Sequence, residues 1–157
     1  MKGIDKVLLD RLSREAEKSP RKRCNHNLHG SYEDRVQRFL NALHPDTYVR
    51  PHRHPRVEDV EAVILLRGRA QVVEFDDDGK IVDHLLLGCE DGIFAVELSP
   101  ANWHTVMALE EGTVIYEVRN GPYVEENAKV FADWAPAEGA PGVAAYMKTV
   151  LRATCNE

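Results

Sequence analysis

The chain has 157 residues, of which 43% are hydrophobic and 29% charged, and a formal net charge of −6. This length suits one domain with a substantial core, and the composition is that of a globular protein. The negative charge argues against general binding to nucleic acid or to an anionic membrane. The basic run at 18–23 is a local exception, which indicates either a solvated surface or local attraction of an anionic ligand.

The cysteines and the N-terminus bear on the cellular compartment. Cys24, Cys89 and Cys155 are odd in number and far apart, which argues against a disulfide scaffold and fits a reducing environment. The first ten residues lack the apolar run of a signal peptide, and no stretch approaches the ~20 apolar residues of a membrane helix. We therefore expect a soluble, cytoplasmic protein.

The N-terminal part combines one clear element with one ambiguous element. Apolar residues between Ile4 and Lys18 have helical spacing, and Pro20 ends this predicted helix; residues 21–32 read as a loop or an irregular lead-in strand. The segment 36–43 has helical spacing after a sequence that resembles a capping box, yet its residues also alternate and a turn follows. We predict a strand at 36–43.

The rest of the chain indicates a β architecture with a helix near the end. Turn residues such as 76–79 and 88–92 separate short apolar runs at ~8–12-residue spacing, which is typical of a sandwich or barrel. After Gly121 the pattern changes, and Gly142 to Leu151 predicts a helix. The predicted strands are 47–52, 60–67, 69–75, 81–87, 93–98, 104–109 and 113–119.

We expect a single domain over residues 1–157. Its parts are an N-terminal helix and lead-in at 1–35, a barrel core at 36–122 and a C-terminal extension at 123–157.

The pair His52 and His54 is the first part of a candidate metal site. In an extended segment the side-chain period is two, so both imidazoles point to the same face. Pro51 and Pro55 bracket the pair, which suits a strand at the rim of a barrel rather than a central strand.

Glu61 and His104 complete this candidate site. Glu61 opens an apolar strand, where an inward-facing carboxylate needs a cation or strong donors. Glu58 and Asp59 are its rivals, although their place in a connecting loop favours exposure to water. His104 starts a later strand, and three imidazoles with one carboxylate suit a divalent transition metal.

These residues carry a resemblance to the cupins, and more narrowly to WbuC-type cupin-fold metalloproteins. The general motif is a His-x-His pair, then Glu followed after six residues by Gly68, then Pro-x-x-x-His. The segment Thr47-Tyr-Val-Arg-Pro-His-Arg-His-Pro55 is the most specific part of a resemblance that extends from about residue 20 to residue 138. Further segments that carry it are 23–29, 66–69, 75–79, 103–104, 121–123 and 131–138.

The resemblance implies a cupin double-stranded β-helix, a small jelly-roll barrel that is mainly β with short helical extensions at both termini. It also implies that His52, His54, Glu61 and His104 bind one metal ion inside the barrel. Six residues separate His54 from Glu61, whereas cupins have three or four, so Glu58 stays an alternative to Glu61. Two further departures are Asp46 and Asn102 at positions where cupins often carry Gly; both residue types tolerate positive φ.

Other polar residues have two interpretations each. His29 and Asn27 could line the mouth of the pocket, as could Asn25, or His29 could simply hold a structural hydrogen bond. Arg50 shares the face of His52 and could bind a substrate anion or form an ion pair at the rim. Tyr123 could reach the pocket or pack against the barrel.

Two further candidates are weaker. Cys24, His26 and His29 form a rival metal motif whose spacing is loose. His84 is read as a structural or surface residue.

The predicted site favours an anionic or chelating oxygen ligand, because neutral imidazoles and one carboxylate leave a divalent ion with net positive charge. Fe, Mn, Ni, Zn and Cu are all compatible with these ligands. The first hypothesis is a metal-dependent isomerase, lyase or oxygenase that acts on a small oxygenated metabolite. The alternatives are a non-catalytic module that binds a sugar or carboxylate through the metal, and a metal-free epimerase, which three His with Glu disfavour.

The family resemblance adds an expectation about substrate and assembly. WbuC-type proteins imply a link to O-antigen or other polysaccharide synthesis, and hence a sugar or nucleotide sugar. Homodimerisation is also plausible, since small barrels leave strand edges that a partner can cover.

Overall fold

The computed structural model describes residues 1–56, 60–98 and 101–154. Helices α1 (Lys6–Lys18) and α2 (Val143–Thr154) lie at the ends of the chain, and a 3-10 turn spans Glu125–Asn127. Within the described residues no helix is long and apolar enough to cross a membrane. The strands are β1 (Arg23–Asn27), β2 (Val36–Leu43), β3 (His52–Arg53), β4 (Glu61–Arg67), β5 (Ala70–Phe75), β6 (Ile81–Leu87), β7 (Ala95–Leu98), β8 (Trp103–Ala108), β9 (Thr113–Asn120) and β10 (Val130–Phe131).

The strands form two five-stranded sheets in which the pairings are antiparallel. Sheet A has the order β1-β2-β9-β4-β7, and sheet B has the order β10-β3-β8-β5-β6. The prediction of a mainly β protein with short helices at both termini is confirmed.

The inner faces of the two sheets form the main hydrophobic core. Buried residues alternate along β4, because successive side chains of a strand point to opposite faces. Val63 and Ile115 of sheet A meet Val72, Leu87 and Val106 of sheet B in one cluster. This cluster fills part of the space between the sheets with apolar side chains.

Helix α1 covers the outer face of sheet A. Its N-cap is Asp5, whose Oδ1 accepts a hydrogen bond from the Leu8 N–H at 2.9 Å. Leu12 and Ala16 pack in one cluster with residues of β2 and β9, among them Leu40. The predicted N-terminal helix is thus confirmed with slightly shorter bounds.

Helix α2 and the segment before it cover the outer face of sheet B. Val150 packs in one cluster with Phe75, Trp103 and Met107, so Trp103 points away from His104 into a core. The helix expected at 142–151 is present and continues to Thr154.

The predicted strand at 47–52 was wrong for most of its length, since only His52 continues into β3. Side chains satisfy two of the carbonyls in this segment. Arg23 Nη1 donates to Tyr48 O at 2.9 Å, and Thr105 Oγ1 donates to Val49 O at 2.5 Å. Pro51 has no N–H to donate to a ladder.

The other strand predictions agree with the structure, with bounds that are identical or shifted by one or two residues. The segment 36–43 is a strand that pairs with both β1 and β9. The lead-in predicted as a loop or irregular strand contains β1, and β10 was not predicted. Strand β1 forms one edge of sheet A, and β10 forms one edge of sheet B.

Candidate metal centre

Three strands bring the predicted ligands together at one place between the sheets. His52 of β3 lies directly opposite His104 of β8 in the antiparallel register of sheet B. His54 follows β3, and its side chain reaches the same place because its direction repeats that of His52. Glu61 is the first residue of β4 and approaches from sheet A.

The four candidate ligands are buried and close to one another. Their exposed fractions are 2–4%, and one ligand atom from each lies within 4.8 Å of all the others. Glu61 Oε2 lies 2.7 Å from His54 Nε2 and 3.4 Å from His104 Nε2. The prediction that these four side chains converge is confirmed.

Each of the three imidazoles has its Nδ1 against a backbone carbonyl oxygen. A carbonyl can only accept, so each Nδ1 must carry a proton and donate it, which leaves each Nε2 free to act as a ligand. The donor contacts are His52 Nδ1 to Arg50 O at 3.0 Å, His104 Nδ1 to Asn102 O at 3.0 Å, and His54 Nδ1 to Ala128 O at 2.6 Å.

This arrangement fits a divalent ion. When Nδ1 of His54 carries the proton, Nε2 of the neutral ring has a lone pair, and this lone pair faces Glu61 Oε2 at 2.7 Å. Two lone pairs at this distance repel each other unless a cation binds to both atoms. Among the described residues, the buried His104 Nε2 has no hydrogen-bond partner. Metal–ligand bonds of ~2.0–2.2 Å place opposite ligands about 4 Å apart, so small shifts bring the four atoms onto one ion.

The electrostatics of the cluster keep the ligands in their metal-binding forms. Burial alone would raise the pKa of Glu61, but the contacts of its carboxylate with His104 and His54 hold this pKa well below its usual range. Burial, assisted by the charge of Lys129, lowers the pKa of His52 well below its ordinary value. A carboxylate and a neutral imidazole are the forms that bind a metal ion.

Glu117 is a buried acid beside the cluster that sequence reasoning missed. It lies two residues before Arg119, which is paired with Glu61 in the register of β9 and β4. Asn41 Nδ2 donates to Glu117 Oε1 at 2.5 Å. Burial, and then the nearby Glu61 charge, raise the pKa of Glu117 to about 8. The signal in the sequence was a charged residue at an inward position of an otherwise apolar strand.

A cavity of about 390 Å³ opens next to the four ligands. Its volume is within the range of small-molecule sites, about 300–1,000 Å³. Apolar side chains such as Val63 and Ile115 line part of it, and the rest is polar and rich in positive charge. The basic residues along its wall are Arg21, Arg23, Arg50, Arg119 and Lys129.

The proposed substrate-binding residues all line this cavity, namely Arg50, His29, Asn27 and Tyr123. Arg50 Nη2 donates to Ala132 O at 2.6 Å, and its guanidinium lies 5.5 Å from the centre of the Phe131 ring. His29 is buried, and Asn27 is exposed at the end of β1. Their roles in binding stay predictions.

The rival candidates lie elsewhere. Glu58 and Asp59 are outside the described residues. Cys24 Sγ contacts Glu15 Oε2 at 3.3 Å on the α1 side of sheet A, and the potential metal group found among the described residues contains none of the rival motif. His84 Nδ1 is 3.3 Å from Gln71 Nε2, which agrees with a structural role.

Solved structures with the same fold are known, although their sequences are distant. Protein SO0799 from Shewanella oneidensis is 9% identical, with a TM-score of 0.54 over 68% of this chain and 72% of that protein. KdgF from Halomonas sp. is 13% identical, with a TM-score of 0.52 over 69% and 87%. An oxalate oxidase in complex with the substrate analogue glycolate is 15% identical, with a TM-score of 0.54 over 86% and 68%.

Two facing antiparallel sheets and a buried His, His, Glu and His cluster define this chain as a protein of the cupin fold, compatible with metal binding. The chain belongs to the family described as domain of unknown function DUF6016, which matches residues 4–87, just over half of its length. No curated protein matches the sequence.

Proposed function

We propose that this cupin binds one divalent transition-metal ion through His52, His54, Glu61 and His104, and uses it to act on a small oxygenated metabolite. The observation that carries the proposal is the set of three Nδ1–H donors, which directs three Nε2 atoms at one carboxylate. A structural cluster has no need for three imidazoles in this tautomer, whereas ligand histidines have this orientation regularly.

The residues of the chain prepare the centre and the cavity for such a ligand. The three backbone carbonyls fix the orientation of the rings, and Glu61 supplies one negative charge. A bound divalent ion would act there as a Lewis acid, or lower the pKa of a bound water. Four protein ligands on a six-coordinate ion leave two positions, which is enough for a ligand that binds through two oxygens.

A catalytic role is supported by the ionisable groups at the centre. Glu117 and Lys129 lie beside the ligands, and burial shifts the pKa of both toward the neutral form. Shifted pKa values of this kind concentrate at catalytic sites. We therefore propose an isomerase, lyase or oxygenase ahead of a non-catalytic module that only holds the ligand.

The narrower resemblance to WbuC-type proteins supports a second proposal, about the substrate. It favours a sugar or nucleotide sugar of polysaccharide synthesis. The amide groups of Asn25, Asn27 and Asn41 line the cavity, and amides are suited to binding hydroxyl groups.

Metal analysis tests the proposed centre. We expect roughly one metal ion per chain in the wild-type protein after reloading, and less than ~0.2 in His104→Ala, because an ion that loses one of four ligands is bound much more weakly. His84→Ala is the matched control and should keep the wild-type content, since His84 lies outside the cluster. Equal metal content in wild type and folded His104→Ala would refute the proposal.

Turnover is tested separately from binding. The reloaded protein is incubated with sugars, nucleotide sugars and 2-oxo acids, and oxygen consumption is followed in the Fe²⁺-loaded form. A compound that raises the melting temperature and is recovered unchanged would support the binding module instead of the enzyme.

A further inference from the structure

Two cationic side chains of the cavity wall are not held in an ion pair within the described residues. Arg119 is paired with Glu61 in the register of β9 and β4, and Lys129 follows the Ala128 carbonyl that orients His54. Both side chains line the cavity. The contact of the Arg119 guanidinium is with the face of the Tyr123 ring, at 5.6 Å from its centre. No hydrogen bond or ion pair within the described part of the chain involves either cation.

The other basic residues of the cavity differ in this respect. Arg23 Nη2 and Arg21 Nε are paired with Glu138 at 2.9 and 2.8 Å, and Arg50 is bonded to a carbonyl. Glu61 is engaged with two histidines. Cations that are withdrawn from water are costly unless an anion or strong acceptors compensate them. For Lys129 the nearby Glu61 and Glu117 offset part of this cost, and the charge of Arg119 adds to it.

His29 supplies an independent indication of a ligand at this wall. Its side chain is 8% exposed and lines the cavity. His29 Nδ1 lies 3.0 Å from Arg38 N, whose N–H can only donate, and 2.9 Å from Arg38 O. That oxygen already accepts from the N–H groups of Leu28 and His29. Nδ1 is therefore the acceptor, and the proton is on Nε2. This Nε2–H is buried, and no described residue accepts a hydrogen bond from it.

A row of rings places His29 and Arg119 along the same wall. The His29 and Tyr32 ring centres are 5.7 Å apart, those of Tyr32 and Tyr123 are 5.2 Å apart, and Tyr123 contacts Arg119. Lys129 lines the same cavity as His52, Glu61 and His104, and it directly follows Ala128, whose carbonyl accepts from His54. The three donors thus border the part of the cavity that adjoins the proposed metal centre.

We propose that Arg119, Lys129 and His29 form an anion subsite, which binds the carboxylate or phosphate group of a small organic acid. Arg presents paired donors that suit both groups, Lys adds a point charge, and the His29 Nε2–H adds a directed hydrogen bond. That the same molecule reaches the metal with its other oxygens rests on the proposed function. The ligand class is then a hydroxy acid, a sugar acid or a sugar phosphate rather than a neutral sugar.

Binding to the metal-free protein tests the subsite independently of the metal. Chelator-treated protein is titrated by calorimetry at constant ionic strength with D-glucuronate, with inorganic phosphate, and with D-glucose as the neutral counterpart. We expect binding of at least one anion and none of glucose. Glucuronate alone identifies a carboxylate subsite, and phosphate alone identifies a phosphate subsite. Failure of both anions to bind would overturn the proposal.

Three variants locate the binding. Arg119→Gln and Lys129→Gln should each weaken the anion about tenfold or more, because a charged hydrogen bond contributes about 1.5–3 kcal/mol. Lys148→Gln removes the same charge from the exposed face of α2 and should bind as wild type does. Equal weakening by Lys148→Gln would show general attraction instead of a subsite, and unchanged affinity in both cavity variants would refute the assignment.

Metal content separates this proposal from the proposed function. Arg119→Gln and Lys129→Gln should still take up the metal content of wild type, since neither is a ligand. A protein that binds the anion but takes up no metal would sustain the subsite and refute the metal centre. Circular dichroism and a urea midpoint for each variant show that it is folded.

Discussion

The turn between β4 and β5 passes through Gly68, whose φ of 79° favours glycine. A Cβ at this position would lie 2.8 Å from Thr113 Cα and would also meet Thr113 Oγ1. Gly92 has nearly the same φ, 77°, but nothing lies within 4 Å of its added Cβ. The two glycines therefore share a backbone requirement and differ in the space around them.

We expect Gly68→Ala to lower the free energy of unfolding by ~3 kcal/mol or more, because backbone strain and steric overlap with Thr113 act together. Gly92→Ala should cost ~1 kcal/mol from backbone strain alone. Urea denaturation of both variants measures the difference. Equal losses would mean that β9 moves away from residue 68 without cost.

Residue types and spacing were enough to predict the four candidate ligands. His52 and His54 share a face by strand periodicity, and their convergence with Glu61 and His104 is seen in the structure. Lys129 gave no such signal, because it lies in an irregular segment whose position depends on contacts made far along the chain. Arg119 was similarly missed, since its neighbours follow from the pairing of β9 with β4.

At the scale of elements, the segment 47–51 shows how side chains can replace a ladder. Its apolar and β-branched residues predict a strand, but Arg23 and Thr105 donate to its carbonyls. Tyr48 continues this pattern from inside the segment, because its hydroxyl donates to Pro136 O at 2.9 Å. Such long-range bonds cannot be read from local periodicity.

The hydroxyl of Tyr48 should contribute measurably to stability. We expect Tyr48→Phe to lower the free energy of unfolding by about 1 kcal/mol, since the partly buried Pro136 carbonyl loses its donor. Burial of this phenol raises its pKa to about 12, in keeping with a neutral donor. Thermal and urea denaturation would detect the loss.

Tyr146 of α2 provides the matched control. Its ring packs edge-on against Tyr48 at 6.1 Å, but its buried hydroxyl has no hydrogen-bond partner. Tyr146→Phe should therefore be neutral or slightly stabilising. If both variants lost the same stability, the bond to Pro136 would not be the reason.

Over the whole molecule, Glu138 joins the two ends of the chain. Its carboxylate accepts from Arg21 at 2.8 Å and from Arg23 of β1 at 2.9 Å, across more than 110 residues of sequence. Hydrogen bonding from Arg21 outweighs partial burial and, with Arg23, lowers the pKa of Glu138 to about 2. The terminal segment is thereby attached to the edge of sheet A.

This ion pair predicts a pH dependence. The folded pKa lies below the ordinary value of 4.5, so the stability from Glu138 is present above pH 4.5 and is lost as the pH falls toward 2. We expect Glu138→Gln to be less stable by up to about 1 kcal/mol at pH 6, a limit set by solvent screening of this partly exposed pair. Urea denaturation between pH 7 and pH 3 should show this difference narrowing below pH 4.5. A difference that does not change with pH would assign the effect to packing.

The two-sheet architecture followed from the sequence because turn residues separate short alternating runs, and the strand at 36–43 was correctly preferred over a helix. The edge strand β10 could not be predicted from the sequence, since Val130 and Phe131 are too short a run to indicate a strand. Only the pairing of β10 with β3, about 80 residues earlier in the chain, makes those two residues part of a sheet.

Through the carbonyl of Ala128, the C-terminal quarter of the chain helps to orient one of the candidate metal ligands. His52 and His104 are each oriented by a carbonyl two residues earlier, whereas His54 is oriented from 74 residues away. If an ion binds more tightly when His54 is held, then by reciprocity the ion must strengthen the docking of the chain around Ala128 by the same free energy. Undocking of this segment and dissociation of the ion are then thermodynamically coupled.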